Sequence, residues 1–328
     1  MTQQTNKQVL HSIRQHFNDD DAVKLQSIQS LWSDYGEIAR YWLPSLSSSV
    51  VVKSVNPPDD TQHPRGWNTT VSHQRKLDSY RNEQYFYQHY SAFTDNYCHV
   101  PRCLGTGQFG KQSWLILQDL DQHGFTYRCD DAPLALVKLG LRWLAYFHAR
   151  FLQEPLSGLW PIGTYWHLAT RPDEWQKMPD GRLKQQAQSI DNQLNQAGFQ
   201  TLLHGDAKLA NFCFSQDQTD LAAVDFQYVG AGVGVKDVAY FLGSCFDSDG
   251  LIHHADMLLD HYFSCLHQAA KHYVINTDIA AVEHQWRALY PLAWADFQRF
   301  LIGWATEHYK INDYMLMMTD KVLTSLNN

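Results

Sequence analysis

The chain has 328 residues, 44% of them hydrophobic and 13% aromatic, enough to bury a large core and more than one domain of ordinary size needs. Its formal charge of −8 comes without an acidic tail or a basic block, which argues against nucleic acid and anionic membrane and leaves a cationic or neutral small molecule as partner. No apolar run reaches the length of about 18 residues that a membrane span needs, and the start MTQQTNKQVLHSIRQHF lacks the apolar stretch of a secretory signal, so a cytoplasmic location is expected.

In chain order, Val9, Leu10, Ile13 and Phe17 recur at helical spacing and predict a leading helix over 5–18. The segment Ile28 to Leu43 and the run SSSVVVKSV, 47–55, read as strands, being short, β-branched or aromatic, and bounded by Asp, Gly and Pro. NPPDDTQHPRGWNTT, 56–70, reads as a loop, Ser72 to Phe93 as a long helix, and VPRCLGTGQFGKQSWLILQDL as strand, turn, strand. The string GTGQFG, 105–110, matches GxGxxG by letter. A dinucleotide fingerprint has to open a helix, whereas this one runs into the apolar strand WLIL, so a glycine-rich hairpin turn is the better reading.

Past Asp121 the pattern turns helical. ALVKLGLRWLAYFHARF, 135–151, is amphipathic, KQQAQSIDNQLNQAG, 184–198, reads as a helix ending on a C-cap glycine, and nearly everything from Val238 onward has helical spacing. Short paired strands are expected at 211–215 and 221–226, and GAGVG, 230–234, reads as a flexible segment before a helix starting near Lys236. The six cysteines show no CxxC spacing and read as free thiols, and the adjacent His253 and His254 point to different faces of a helix. The result is a small mixed N-terminal part followed by a large helical part, with the seam near 118–121, which divides the chain into 1–119 and 120–328.

The stretch TLLHGDAKLANFCF, 201–214, holds the chemistry. It packs His204, Asp206, Lys208 and Asn211 between apolar strand ends, where unpaired polar groups are costly. Fourteen positions after Asn211, Asp225 follows the apolar strand LAAVD, and a hairpin through SQDQTD would bring the two together. A carboxylate and an amide oxygen at one cavity suit Mg²⁺, which takes oxygen ligands and keeps places for water and phosphate. Asp206 is then placed to accept a proton from a hydroxyl beside that phosphate, and the pattern HxDxKxxN…D is the arrangement of phosphoryl transfer.

HGDAKLANF, VDFQ and DVAYFL together resemble the kinase-like phosphotransferases of small molecules, the aminoglycoside phosphotransferase and choline kinase superfamily, and within it the ecdysteroid-kinase-like branch, where DFQ stands for DFG. The resemblance is strongest over 200–245 and looser over nearly the whole chain. It implies an α+β, bilobal protein-kinase-like fold, with a small N-terminal antiparallel sheet lobe carrying a helix and a larger, mainly helical C-terminal lobe. It also implies ATP and Mg²⁺ as cofactors and a small-molecule hydroxyl as acceptor. Lys53 at the end of VVVK stands where the family has its phosphate-binding lysine, and Glu83 stands where it has that lysine's partner. Taken singly, Lys53 reads as a strand-end surface lysine and Glu83 as a solvated helix position; with the later motif, they read as the pair. WLILQDL, with Gln118 and Leu120, takes the place of the hinge strand whose backbone holds adenine, and Gly36 is the one glycine of the loop expected to cover phosphate.

The resemblance assigns Asp206 to the acceptor hydroxyl, Asn211 and Asp225 to the metal, and Lys208 either to the transferring phosphate or to the surface. His204 and Asp237 read as structural, the one shaping the loop and the other bracing it. Gln227, in place of the glycine of DFG, implies a segment without an activation-loop switch. Near the C-terminus Trp286, Tyr290, Trp294, Phe297, Leu301 and Trp304 recur at three- and four-residue steps, a core stripe by default, with Pro291 suited to the first turn of a new helix. Aromatics beside Asp296 would alternatively suit a cationic acceptor. Acceptors in the superfamily span amino alcohols, aminoglycosides, sugars and steroids. A non-catalytic, pseudokinase-like nucleotide-binding scaffold is the alternative from another class. Protein kinase activity is disfavoured by the short gap between Asp225 and Asp237.

Overall fold

The computed structural model describes residues 3–31, 35–57, 70–131 and 133–326. The N-terminal part is an antiparallel sheet of β1 (Val23–Ser30), β2 (Gly36–Leu43), β3 (Ser48–Val55), β4 (Cys103–Phe109) and β5 (Gln112–Gln118) in the order β1-β2-β3-β5-β4. The expected strand Ile28 to Leu43 is in fact the end of one strand, a connection and a second strand. β1 begins earlier, at Val23, and its nearly continuous exposure removes the alternating pattern that would mark it. Most of the expected loop 56–70 falls outside the described residues.

Alternation along the central strands decides which residues reach the cleft. Ala39, Tyr41 and Leu43 of β2 and Val50 and Val52 of β3 point to one face, where Val9 and Ile13 of α1 (Gln3–Phe17) cover them. Val51 and Lys53 therefore point to the other face, toward α2 (Thr70–His89). On α2, Lys76, Ser79, Tyr80 and Glu83 follow i, i+3, i+4, i+7 and form a single stripe.

GTGQFG is strand through Phe109, and the turn comes only at Gly110, with φ +57°. Its other glycines make room for neighbours. A Cβ on Gly107 would lie 2.2 Å from the Trp114 ring across the ladder, and one on Gly105 2.7 Å from the His16 ring of α1.

The helical part comprises α3 (Leu134–Arg150), α4 (Pro172–Lys177), α5 (Arg182–Asn195), α6 (Val235–Cys245), α7 (Ser248–His272), α8 (Ile279–Trp304) and α9 (Asp313–Ser325). α3 packs along α7, and α8 packs on α5, α6 and α9, around one continuous apolar core. Pro291 does not start a helix but lies inside α8, where the chain forgoes one backbone hydrogen bond. α5 ends at Asn195, with Gln196 as its cap, so Gly198 lies beyond the helix. GAGVG is not a flexible segment. Its first three residues form β9 (Gly230–Gly232), paired with β6 (Thr201–Leu203), and a Cβ on Gly230 would meet the Trp160 carbonyl at 2.4 Å. β7 (Phe212–Phe214) and β8 (Leu221–Ala223) form the expected hairpin. The six cysteines are free thiols. No described helix is long and apolar enough to cross a membrane.

Candidate active site

The loop 204–211 is held by a buried carboxylate in the first turn of α6. Asp237 accepts from the backbone N–H of His204 (2.6 Å) and Gly205 (3.0 Å), and His148 of α3 reaches the same carboxylate at 3.1 Å. His204 closes the other side. Its Nε2–H donates to the Val224 carbonyl (3.1 Å) and its Nδ1 accepts from the Asp206 N–H (3.3 Å), a tautomer matched by burial, which lowers its pKa and keeps the ring neutral. Gly205 sits at φ +81°, and a Cβ there would lie 2.0 Å from the Tyr228 carbonyl oxygen, so only glycine fits the turn that presents Asp206.

Asp206 is buried yet faces the cleft. Its carboxylate accepts from Tyr240 Oη (2.9 Å), Lys208 Nζ (3.1 Å) and Asn211 Nδ2 (3.2 Å). Burial raises its pKa, against the pull of Lys208, which suits a group that must take up a proton. Asn211 also donates through Nδ2 to the Asp206 carbonyl (2.8 Å), which leaves its Oδ1 as the acceptor oxygen.

Asp225 follows β8 with φ +71°, a left-handed backbone that costs a non-glycine residue about 1–2 kcal/mol and tends to persist at functional sites. Its Oδ1 accepts from Lys53 Nζ (3.0 Å) and Gln227 Nε2 (2.9 Å). Lys53 is simultaneously 2.7 Å from Glu83. Burial alone would push the Lys53 ammonium down, but Asp225 and Glu83 outweigh it and hold it well above its ordinary value. The two carboxylates diverge. Burial lifts Glu83 to about 7 despite Lys53, whereas at Asp225 burial is overcome by Lys53 and Lys208, which bring it down to about 2. Asp225 thus keeps its charge and Glu83 is the first of the two to gain a proton.

Gln227 is tied down at each polar end. Its Oε1 accepts from Ser79 (3.1 Å), and its carbonyl accepts from Asn82 (3.2 Å) and from Trp160 Nε1 (2.9 Å). The segment after Asp225 is therefore fastened to the stripe on α2 in a single position.

Lys53, Glu83, Asp206, Lys208, Asn211 and Asp225 meet in one cleft of about 1110 Å³, which Gln118 and Leu120 also line. The Gln118 N–H is taken by the Arg102 carbonyl and the Leu120 carbonyl by the Phe125 N–H, while Asp119 between them is gripped by Arg40 at 2.6 Å. Gly36 does not line the cleft. Its missing side chain lets β2 approach β3, since a Cβ would lie 1.9 Å from the Ser54 carbonyl oxygen. Residues 32–34, at the tip of the expected phosphate loop, lie outside the described residues. Among the described residues no three His, Cys, Asp or Glu side chains cluster as a metal cage. One amide oxygen and one carboxylate, Asn211 and Asp225, are nonetheless the donor set from which Mg²⁺ is held when phosphate and water complete its shell.

Trp286 and Trp294 are fully buried, and so is Asp296, which pairs with Arg299 (2.8 Å) and Lys236 (3.4 Å). The stripe from Trp286 through Leu301 is core, as its periodicity implied, whereas its last member, Trp304, is half-buried and lines the cleft; Asp296 is not available to a cationic acceptor. The aromatic wall of the cleft is instead Tyr165, Tyr228, Tyr240, Phe300 and Trp304. Tyr240 was not anticipated, although its place three residues after Asp237, on the same face of α6, is the signal that finds it.

This is the fold of the kinase-like small-molecule phosphotransferases. Over nearly the full length of both proteins, 98% of this chain and 95% of the other, it is similar to choline kinase from Cryptosporidium parvum, at 8% identity and a TM-score of 0.52. A putative fructosamine-3-kinase from Haemophilus somnus is similar at 13% identity and a TM-score of 0.47, over 98% of this chain and 97% of that one. Residues 165–274 match the model of the Ecdysteroid kinase-like family, a span that includes Asp206, Asn211, Asp225 and Tyr240. No curated protein matches the chain in sequence.

Proposed function

We propose that the protein transfers the γ-phosphoryl group of ATP to a hydroxyl of a small molecule. The observation that carries this reading is the convergence of Lys53, Glu83, Asp206, Asn211 and Asp225 in one cleft from four separate parts of the chain, with only Asp206 and Asn211 sharing a loop. Lys53, fixed by Glu83, binds the α- and β-phosphates, and Asn211 and Asp225 hold Mg²⁺, which when bound neutralises phosphate charge. Asp206 orients the acceptor hydroxyl and receives its proton. The acceptor oxygen forms a bond to the γ-phosphorus as the bond from that phosphorus to the bridging oxygen breaks, and ADP leaves. Lys208, 3.1 Å from Asp206, steadies the incoming charge. Positioning and charge neutralisation supply the rate, with no covalent intermediate on the protein.

The test is Asp206→Asn. ADP release stimulated by a hydroxylated-metabolite library should fall by about 10²–10⁴, the usual loss for a general base, while Mg–ADP affinity stays at the wild-type value. Undiminished turnover in the variant would remove Asp206 from the mechanism. Stabilisation of the wild type by Mg–ATP without turnover on any acceptor would instead favour the non-catalytic scaffold.

A further inference from the structure

The cleft does not share the negative charge of the chain. Among the described residues seven lysines and arginines line it against five aspartates and glutamates. Each of those carboxylates is already engaged: Glu83 and Asp225 with Lys53, Asp119 and Asp121 with Arg40, and Asp206 with Lys208. With Asp225 given to the metal, none is left over to pair with a cationic acceptor.

Two of the cations are left over, and they are neighbours on α2. Arg75 donates to the Thr170 carbonyl (2.7 Å) and the Ser72 hydroxyl (3.3 Å), both neutral, and has no carboxylate at ion-pair distance among the described residues. Lys76 has none either; its ammonium lies 5.1 Å from the centre of the Tyr80 ring. Lys76 shares the Tyr80 ring with Lys53 (5.6 Å), and the charges acting on it are those of Asp225, Lys53, Glu83 and Asp206, which puts it toward the phosphate end of the cleft; Arg75, bonded to Thr170 and acted on by Arg171, Tyr228, Glu174 and Asp173, stands away from that end. Arg171 is paired with Glu174 at 3.1 Å, and its guanidinium lies over the rings of Phe300 (5.0 Å) and Tyr165 (5.6 Å). Arg75, half-buried beside an aromatic wall, lacks the anion that would offset the cost of removing it from water.

Resting on the phosphotransferase reading, we propose that the acceptor is a hydroxylated ring compound carrying an acidic group, and that Arg75 binds that group while the aromatic wall takes the ring. This reverses the cationic preference suggested by the overall charge. It also makes Arg75 a determinant of acceptor specificity, distinct from the phosphate-binding Lys53.

The experiment measures binding, so that it does not depend on turnover. Full-length protein is titrated calorimetrically with three probes of one shape, 6-hydroxy-2-naphthoic acid, its carboxamide and the corresponding methylamine, and separately with Mg–ADP. The acid should bind at least about tenfold more tightly than the amine, as expected for a charge-assisted contact in a partly desolvated site. Arg75→Met should reduce that preference severalfold with Mg–ADP affinity unchanged. Arg75→Lys, which keeps the positive charge, should retain most of the preference and separates loss of charge from loss of fold. An amine that binds as well as the acid, an acid that fails to bind at millimolar concentration, or an Arg75→Met variant that weakens Mg–ADP as much as the acid would each overturn the proposal. Acid-selective binding by a protein that never consumes ATP would leave it standing and refute the phosphotransferase reading alone.

Discussion

Asp237→Asn changes a single atom and should disable the loop that carries Asp206. The carboxylate is fully buried and accepts from His204 N–H, Gly205 N–H and His148 Nε2. An asparagine keeps one oxygen. Placed at the Oδ2 position, that oxygen retains the His204 and His148 contacts but as neutral hydrogen bonds, each weaker by about 1 kcal/mol. The new NH₂ then faces the Gly205 N–H, and a buried donor left without an acceptor costs about 1–3 kcal/mol. The sum is about 3–5 kcal/mol, against a stability of about 5–15 kcal/mol for a typical folded protein. Urea unfolding followed by tryptophan fluorescence checks it, through a lower midpoint at an unchanged m-value. A loss below about 0.5 kcal/mol, the range of ordinary surface substitutions, would mean that Asp237 does not hold the loop and would refute the reasoning.

Two further outcomes follow from the same geometry. The Glu83 carboxyl is lifted by burial from 4.5 to about 7, so between those values the folded chain holds a proton that the unfolded chain has released, and stability falls as pH rises through that window. Glu83→Gln removes the step, and melting curves across it should converge from the acid side; parallel pH profiles for variant and wild type would contradict the assignment. Gly205→Ala combines a left-handed backbone, costing about 1–2 kcal/mol, with a Cβ forced to within 2.0 Å of the Tyr228 carbonyl, costing about 1–3 kcal/mol more. Gly181→Ala, at an extended backbone with open space around it, is the control and should change stability by less than about 0.5 kcal/mol. Equal melting temperatures for the two variants would show that the 204–211 turn tolerates a side chain.

The parts of the site that could be read from the amino-acid sequence are those whose chemistry is local. HGDAKLAN holds its charged groups within one turn of chain, and the DFQ aspartate follows a strand short enough to place it. Lys53 and Glu83 were readable only through the family resemblance, since each alone reads as a surface position; the strand alternation and the stripe with Lys76, Ser79 and Tyr80 that turn them into the cleft come from the structure. The strand boundaries were harder, since β1 is exposed along nearly its whole length and carries no alternation to detect.

The glycines misled for a related reason. Gly105, Gly107 and Gly230 look like turn or loop residues, and only the packed structure shows that each yields space to a ring or carbonyl distant in the chain. The charge of the acceptor end was hidden most completely. A net charge of −8 is a property of the surface, whereas the cleft is governed by which carboxylates are already paired, and that pairing joins residues as far apart as Lys53 and Asp225. Once those pairs are drawn, Arg75 is the charge left unanswered on the acceptor side, and the acidic group that would answer it has to arrive with the substrate.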